Sequence, residues 1–356
     1  MAQLAGLDTA AYSSLLSWTG ERSGNVRMGF RNETFVSRAL KNPKMRGCPV
    51  CLREDAQTST GAPLEEMAMR GDWQLREVSI CVKHQHPLVV LWERTSPTER
   101  FNISTRLGNI LPQLLDGSFE MPPIIPSAYD IWLDKRLEDG SDASWLAEYS
   151  IYAASTFCRL LGAELLRLPE NAGFDSHDRI RAAQSAGFDV AIGGETSINY
   201  ALDELAAHAS SHNDLPNKAF GGLYKALARP YLHEECFDAF RRILWERIVA
   251  IWPVAADEVI LGHSLPERRL HSLQSAVKET GLGTFLLDQF LIEAGAYSKE
   301  DDRSAPRKTF DVNKYASLLA EVPDLVGPIE MSKAMGATLK QLKRLAEDGC
   351  LSPGQK

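Results

Sequence analysis

Residues 48–51 read CPVC, and residues 81–84 read CVKH. Two thiols two residues apart can turn onto one ion, and the second segment repeats that spacing with one sulfur and one imidazole. The pattern predicts a metal set of Cys48, Cys51, Cys81 and His84. A Cys3His set closes the tetrahedron that zinc prefers, with Zn–S near ~2.3 Å, and leaves no position for water. One structural Zn2+ is therefore expected, not a catalytic ion. His86 offers a competing imidazole; the CxxH spacing of His84 matches the CxxC knuckle, whereas CxxxxH does not. The set carries a net negative charge with zinc bound, which knuckle N–H groups and Arg53 are expected to offset.

The 356 residues allow two or three domains. No apolar run reaches the ~18–20 residues that span a bilayer, and the N-terminus lacks the pattern of a signal peptide. These features predict a cytoplasmic protein with no membrane partner. Cys158, Cys236 and Cys350 are scattered singly and read as core residues or free thiols. A net charge of −8 argues against nucleic acid, but the charge is uneven. Residues 128–260 hold 12 basic and 21 acidic side chains, whereas residues 22–53 hold eight basic ones against Glu33 alone. That basic stretch reads as loop-rich. Its plain reading is a solvated surface. The sharper reading is a phosphate- or RNA-facing patch, with Arg27, Arg31 and Arg38 as contacts and Phe30 and Phe35 as stacking groups.

The predicted fold class is mainly α: an N-terminal zinc-knuckle module with short β-strands over 1–127, a helical middle domain over 128–260, and a tandem helix-turn-helix region over 261–356. Strands are expected at 76–82 and 88–92, and the proline cluster at 122–126 marks a boundary. Helical spacing of apolar residues covers 145–166, and a helix starting after Asp175 or Ser176 is expected to stop at Gly187. Segments 269–295 and 326–351 each read as helix, Gly-containing turn, helix. In the second, Pro328 suits a first helical position and Gly336 the turn. Leu339, Leu342 and Leu345 are expected to face inward, leaving Lys340, Gln341, Lys343 and Arg344 for DNA or for a protein partner. The first pair, with Asp288, Gln289 and Glu293 outward, reads as a packing or protein-contact module. P-loop, GxSxG, HExxH and dinucleotide patterns are missing from the sequence, so it is read as non-enzymatic. A zinc enzyme would require one of the four metal ligands to be spare.

The residues around the knuckles carry a resemblance. CPVCLRED, MRGDWQL and SICVKHQHPLV are similar to the TniQ family pattern, through Cys48, Pro49, Cys51, Leu52, Asp55, Arg70, Trp73, Gln74, Leu75, Cys81, His84 and Leu88. YDIWLDKRL (129–137), AGFDVAIGGETSINYALDEL (186–205) and FGGLYKAL (220–227) resemble later parts of long family members. The family often carries an aromatic where Met67 and Met69 stand here, and a longer N-terminal segment, so a truncated or diverged first module is expected. What the resemblance implies is an accessory protein of DNA transposition. Such proteins help select the target site and recruit an AAA+ ATPase for a DDE transposase, directly on DNA or through an RNA-guided CRISPR effector complex, in some cases as a homodimer. The alternative reading is a zinc-containing helix-turn-helix transcription regulator.

Overall fold

The chain divides into two compact units, residues 1–208 with 217–243, and residues 209–216 with 244–356. A computed structural model describes residues 6–58, 61–93, 102–167, 177–208, 215–322 and 327–351. Among these the protein is mainly helical, with strands of two to five residues. No helix among them is long and apolar enough to cross a membrane.

In the first unit, α1 (Thr9–Ser17) begins where the Asp8 carboxylate accepts the Ala11 N–H at 2.7 Å, which satisfies one of the free donors of a first turn. A three-stranded antiparallel sheet follows, β1 (Glu21–Arg22), β2 (Arg27–Phe30) and β3 (Glu33–Val36), in that order. The basic stretch is thus built around a hairpin rather than an open loop. Phe30 pairs with Glu33 across a two-residue turn, Arg31–Asn32, in which both residues have positive φ; this matches the twist of the flanking strands. Phe30 and Phe35 are 1% and 0% exposed and pack edge-on against each other, with Phe30 also edge-on to Trp18. They are core residues, which corrects the stacking role expected for them: strand alternation turns both rings inward.

The chain continues through α2 (Ser37–Leu40), β4 (Lys44–Gly47), α3 (Pro49–Thr58) and α4 (Pro63–Glu66). A tight hairpin, β5 (Ile80–Cys81) and β6 (His86–Pro87), precedes β7 (Val89–Glu93), which pairs antiparallel with β4. The helical part comprises α5 (Ile103–Leu115), α6 (Ala128–Glu138), α7 (Ile151–Leu165), α8 (His177–Ala191), α9 (Gly194–Ala207), α10 (Pro216–Ala219), α11 (Gly221–Ala228) and α12 (Asp238–Ile251), which runs on into the second unit. The start expected for α8 at Asp175 or Ser176 lies outside the described residues. Its expected stop at Gly187 is corrected: α8 continues to Ala191. A Cβ on Gly187 would lie 1.8 Å from the Cys158 carbonyl oxygen, and one on Gly162 would lie 1.8 Å from that of Ala183. Gly187 is a contact point with α7, not a terminator.

The segment 129–137 is a packing device. Tyr129, Trp132 and Phe188 form one aromatic cluster, and Asp130 receives Arg181 of α8 at 2.7 Å while closing the Ser127 capping box of α6. Arg136 is 8% exposed and donates to Asp142, to the carbonyls of Leu146 and Tyr149, and to Glu33 at 2.9 Å. The other oxygen of Glu33 accepts the Ile151 N–H at the start of α7. The lone acid of the basic stretch therefore ties the hairpin to two helices, as a buried charge must be paired.

In the second unit, β8 (Val259–Ile260) and β9 (His263–Ser264) form a hairpin. Strand β10 (Leu270–Ser272) leads into α13 (Leu273–Thr280), which ends at Gly281 in the left-handed region before α14 (Thr284–Glu293). Strand β11 (Thr309–Asp311) pairs back onto β10, and α15 (Ala316–Glu321) follows. Leu273, Ala276, Leu287, Leu291, Phe310 and Tyr315 form the core of this assembly. The last pair is α16 (Pro328–Met335), capped by left-handed Gly336, and α17 (Leu339–Glu347), opened by a Thr338–Gln341 capping box. Of its three leucines, Leu342 is buried and Leu345 half-buried. Leu339 is 53% exposed, correcting its inward placement; it sits at the first position of α17, before the helix turns its apolar stripe onto α16.

Candidate metal centre

Cys48 immediately precedes α3 and Cys51 lies in its first turn, while Cys81 ends β5 and His84 sits in the turn to β6. One knuckle is thus a strand-to-helix junction and the other a hairpin, closed by Gln85 at positive φ. The ligand atoms of Cys48, Cys51, Cys81 and His84 all lie within 4.8 Å of one another. The Nδ1 of His84 lies 3.2 Å from Cys51 Sγ, 3.6 Å from Cys48 Sγ and 3.7 Å from Cys81 Sγ; Cys51 and Cys81 sulfurs are 3.7 Å apart. Four ligands at ~2.0–2.3 Å from a common centre, arranged tetrahedrally, have separations of this size. The three cysteines are buried and His84 half-buried. The cluster can hold a metal ion.

The donor chemistry fits the same conclusion. Without a cation three crowded sulfurs cannot all be anionic. Hydrogen bonds to the Cys48 and Cys81 sulfurs push the Cys51 thiol up, while hydrogen bonds from Cys48 and Cys51 pull Cys81 down. A divalent ion replaces the shared protons. The far nitrogen of His84, Nε2, lies 3.0 Å from a Glu54 carboxylate oxygen but makes no hydrogen bond; a small rotation would make Glu54 the partner that orients a ligating imidazole. Glu54 is itself held by Lys83 at 2.7 Å.

His86 sits elsewhere. It is 3% exposed, with Nδ1 2.7 Å from the Pro87 carbonyl and Nε2 accepting the Met121 N–H at 2.8 Å. Arg53, expected to offset the cluster's charge, instead pairs with Glu120. Arg70 is the guanidinium whose charge acts with Cys51; it bonds Asp55 at 2.7 Å, joining α3 to the 69–75 segment. Trp73 lies across Gly47, Leu75 is fully buried, and its carbonyl receives Arg46. Gln74 donates to the Trp18 and Gly71 carbonyls. The residues shared with the TniQ pattern outside the ligand set thus brace the two knuckles.

The remaining candidates are spread out. Arg27 pairs with Glu234 at 2.8 Å and lies over the Tyr152 ring. Arg31 donates to Ser17 and to the Leu137 and Glu138 carbonyls at the end of α6, and stacks on Trp18 at 4.3 Å. Arg38 is exposed. On α17, Lys340, Gln341, Lys343 and Arg344 are all exposed. The Gln341 oxygen is engaged by Thr338, and Lys343 lies 4.0 Å from Glu347. Sequence reasoning missed Glu54 and the Glu33–Arg136 pair; a carboxylate three residues after Cys51 was the available signal for the first.

No curated protein matches the chain. The TniQ family model matches residues 1–88, the stretch that carries all four cluster residues, and by that match the chain carries a TniQ domain.

Proposed function

We propose that this protein is a non-enzymatic adaptor of DNA transposition that helps choose the target site and recruits an AAA+ ATPase. The TniQ domain makes it a transposition-associated protein. The observation that carries the finer reading is the closed Cys3His cluster within that domain: a zinc ion there would have four protein ligands and would act as a folding element. Cys48, Cys51, Cys81 and His84 would hold it, and Glu54 would orient His84.

In this reading the 1–127 module and the 128–260 helices form the docking body for the ATPase, and the 261–356 region meets DNA through the exposed face of α17. Lys340, Lys343 and Arg344 would contact phosphate or guanine, and the free amide N–H groups of Gln341 a base edge. The second reading, an operator-binding regulator, would use the same helix; the TniQ match favours transposition. Fluorescence anisotropy with a random duplex and an insertion-site duplex across a salt series tests the DNA arm. Lys340→Ala with Arg344→Ala should weaken binding and reduce the salt slope by about 2 if both meet phosphate. Wild-type binding in that variant would remove α17 from the interface. Retention of the ATPase on immobilised protein tests the adaptor role, and no retention, with or without DNA, would overturn it.

A further inference from the structure

The first unit holds a cavity apart from the metal cluster. It has a volume of about 340 Å3, at the lower end of the ~300–1,000 Å3 typical of small-molecule sites. Lys41, Lys44, Arg46 and Arg70 line it, and its described lining includes no Asp or Glu. Three of these cations have a carboxylate acting on them: Asp55 lies 2.7 Å from Arg70, Glu93 lies 3.9 Å from Lys44, and the charge of Glu77 acts on Arg46.

Arg46 is different. Only 3% exposed, it gives one N–H to the Leu75 carbonyl, and its Nε has no hydrogen-bond partner. A buried guanidinium short of acceptors costs free energy; Glu77 acts on its charge, and an oxyanion in the cavity would supply the acceptor its Nε lacks. The rest of the wall includes the polarizable Met28, Met45, Met69 and Trp73 beside the polar Thr19, Asn42 and Gln74.

We propose that this cavity binds a nucleoside monophosphate unit, with its phosphate on Lys41, Lys44 and Arg46 and its base against Met28, Met69 and Trp73. Guanidinium and ammonium groups together suit phosphate oxygens. Thioether and indole surfaces accept the flat face of a base without selecting its edge. The unit can be a free nucleotide or the phosphorylated end of a single strand; a duplex is too broad to enter. The inference does not depend on α17 meeting DNA.

The test is calorimetric titration of the metal-loaded full chain with dAMP, deoxyadenosine, inorganic phosphate, and a 5′-phosphorylated single strand beside its 5′-hydroxyl twin. A phosphorylated probe should bind at least about tenfold more tightly than its unphosphorylated counterpart, and more tightly than phosphate alone. Preference for the phosphorylated strand over dAMP assigns a strand end, and the reverse order a free nucleotide. Lys41→Ala with Lys44→Ala should weaken the favoured probe at least about tenfold. Both side chains are exposed, and retained metal and an unchanged circular dichroism spectrum verify folding; Lys41→Ala alone serves if the pair disturbs it. Equal binding of dAMP and deoxyadenosine, binding of neither phosphorylated probe, or wild-type binding in the folded variant would overturn the proposal.

Discussion

Gly187→Ala tests the helical framework that carries the first unit. The new Cβ would lie 1.8 Å from the Cys158 carbonyl oxygen and 2.6 Å from its carbon. Both are backbone atoms of α7, so no rotamer change can relieve the contact, and the two helices must move apart. Overpacking typically costs about 1–3 kcal/mol, and a rigid backbone contact puts this case at the upper end, about 3 kcal/mol. Helix propensity returns about 1 kcal/mol for replacing an interior Gly by Ala. The expected net loss is about 2 kcal/mol, or about 4–8 °C in Tm for a unit of this size. Gly108→Ala in α5 is the control. Its Cβ would meet only the Leu64 side-chain tip at 3.4 Å, so propensity should dominate and stability should rise by up to about 1 kcal/mol. Adding Gly162→Ala to Gly187→Ala should cost less than the sum of the two, because one helix separation relieves both contacts. The assay is thermal and urea unfolding of the full chain. A Gly187→Ala variant as stable as Gly108→Ala would refute the close-approach reading.

Glu54→Gln should weaken metal retention about tenfold, the low end for a lost orienting carboxylate, because the Glu54 side chain is half-exposed; chelator competition reads this, and unchanged retention would show that Glu54 does not orient His84. Burial, with the charge of Asp134 adding to it, pushes the Asp72 carboxyl up to about 7. Its folded value exceeds its unfolded value of about 3.9, so its contribution is complete below about pH 4 and is lost as pH rises through 7. Asp72→Asn should therefore stabilise the protein more at pH 8 than at pH 5, and an equal effect in urea melts at both would contradict the assignment. Arg31→Ala should lower stability by about 2 kcal/mol through lost charge-assisted bonds to the end of α6, with little change in affinity for duplex DNA. A large loss of affinity in a folded Arg31→Ala variant would return that residue to the nucleic-acid interface.

What the sequence reveals follows the range of each interaction. The knuckles are local: two tetrads, each four residues long, suffice to name the four side chains that converge. Helix starts are local too, and the Gly281 and Gly336 turns and the Thr338 cap can be read from residue type. The β2–β3 hairpin was hidden because its turn is Arg31–Asn32 rather than Asn-Gly, and because its positive charges suggested a solvated loop. Those charges are answered from far along the chain: Arg27 by Glu234, and Arg31 by the end of α6. Gly187 reads as a stop until α7 is placed beside it. The cavity around Arg46 draws on segments from residue 19 to residue 103, a convergence that no window of sequence displays.

The most direct measurement is the metal content of the full chain purified without added metal, followed by cobalt substitution. One zinc ion per chain is expected. Cobalt in its place should show tetrahedral ligand-field bands with three thiolates, and Cys81→Ser should lose the metal together with the fold of the N-terminal module. A metal-free chain with intact stability, or a Cys81→Ser variant that keeps both metal and fold, would contradict it.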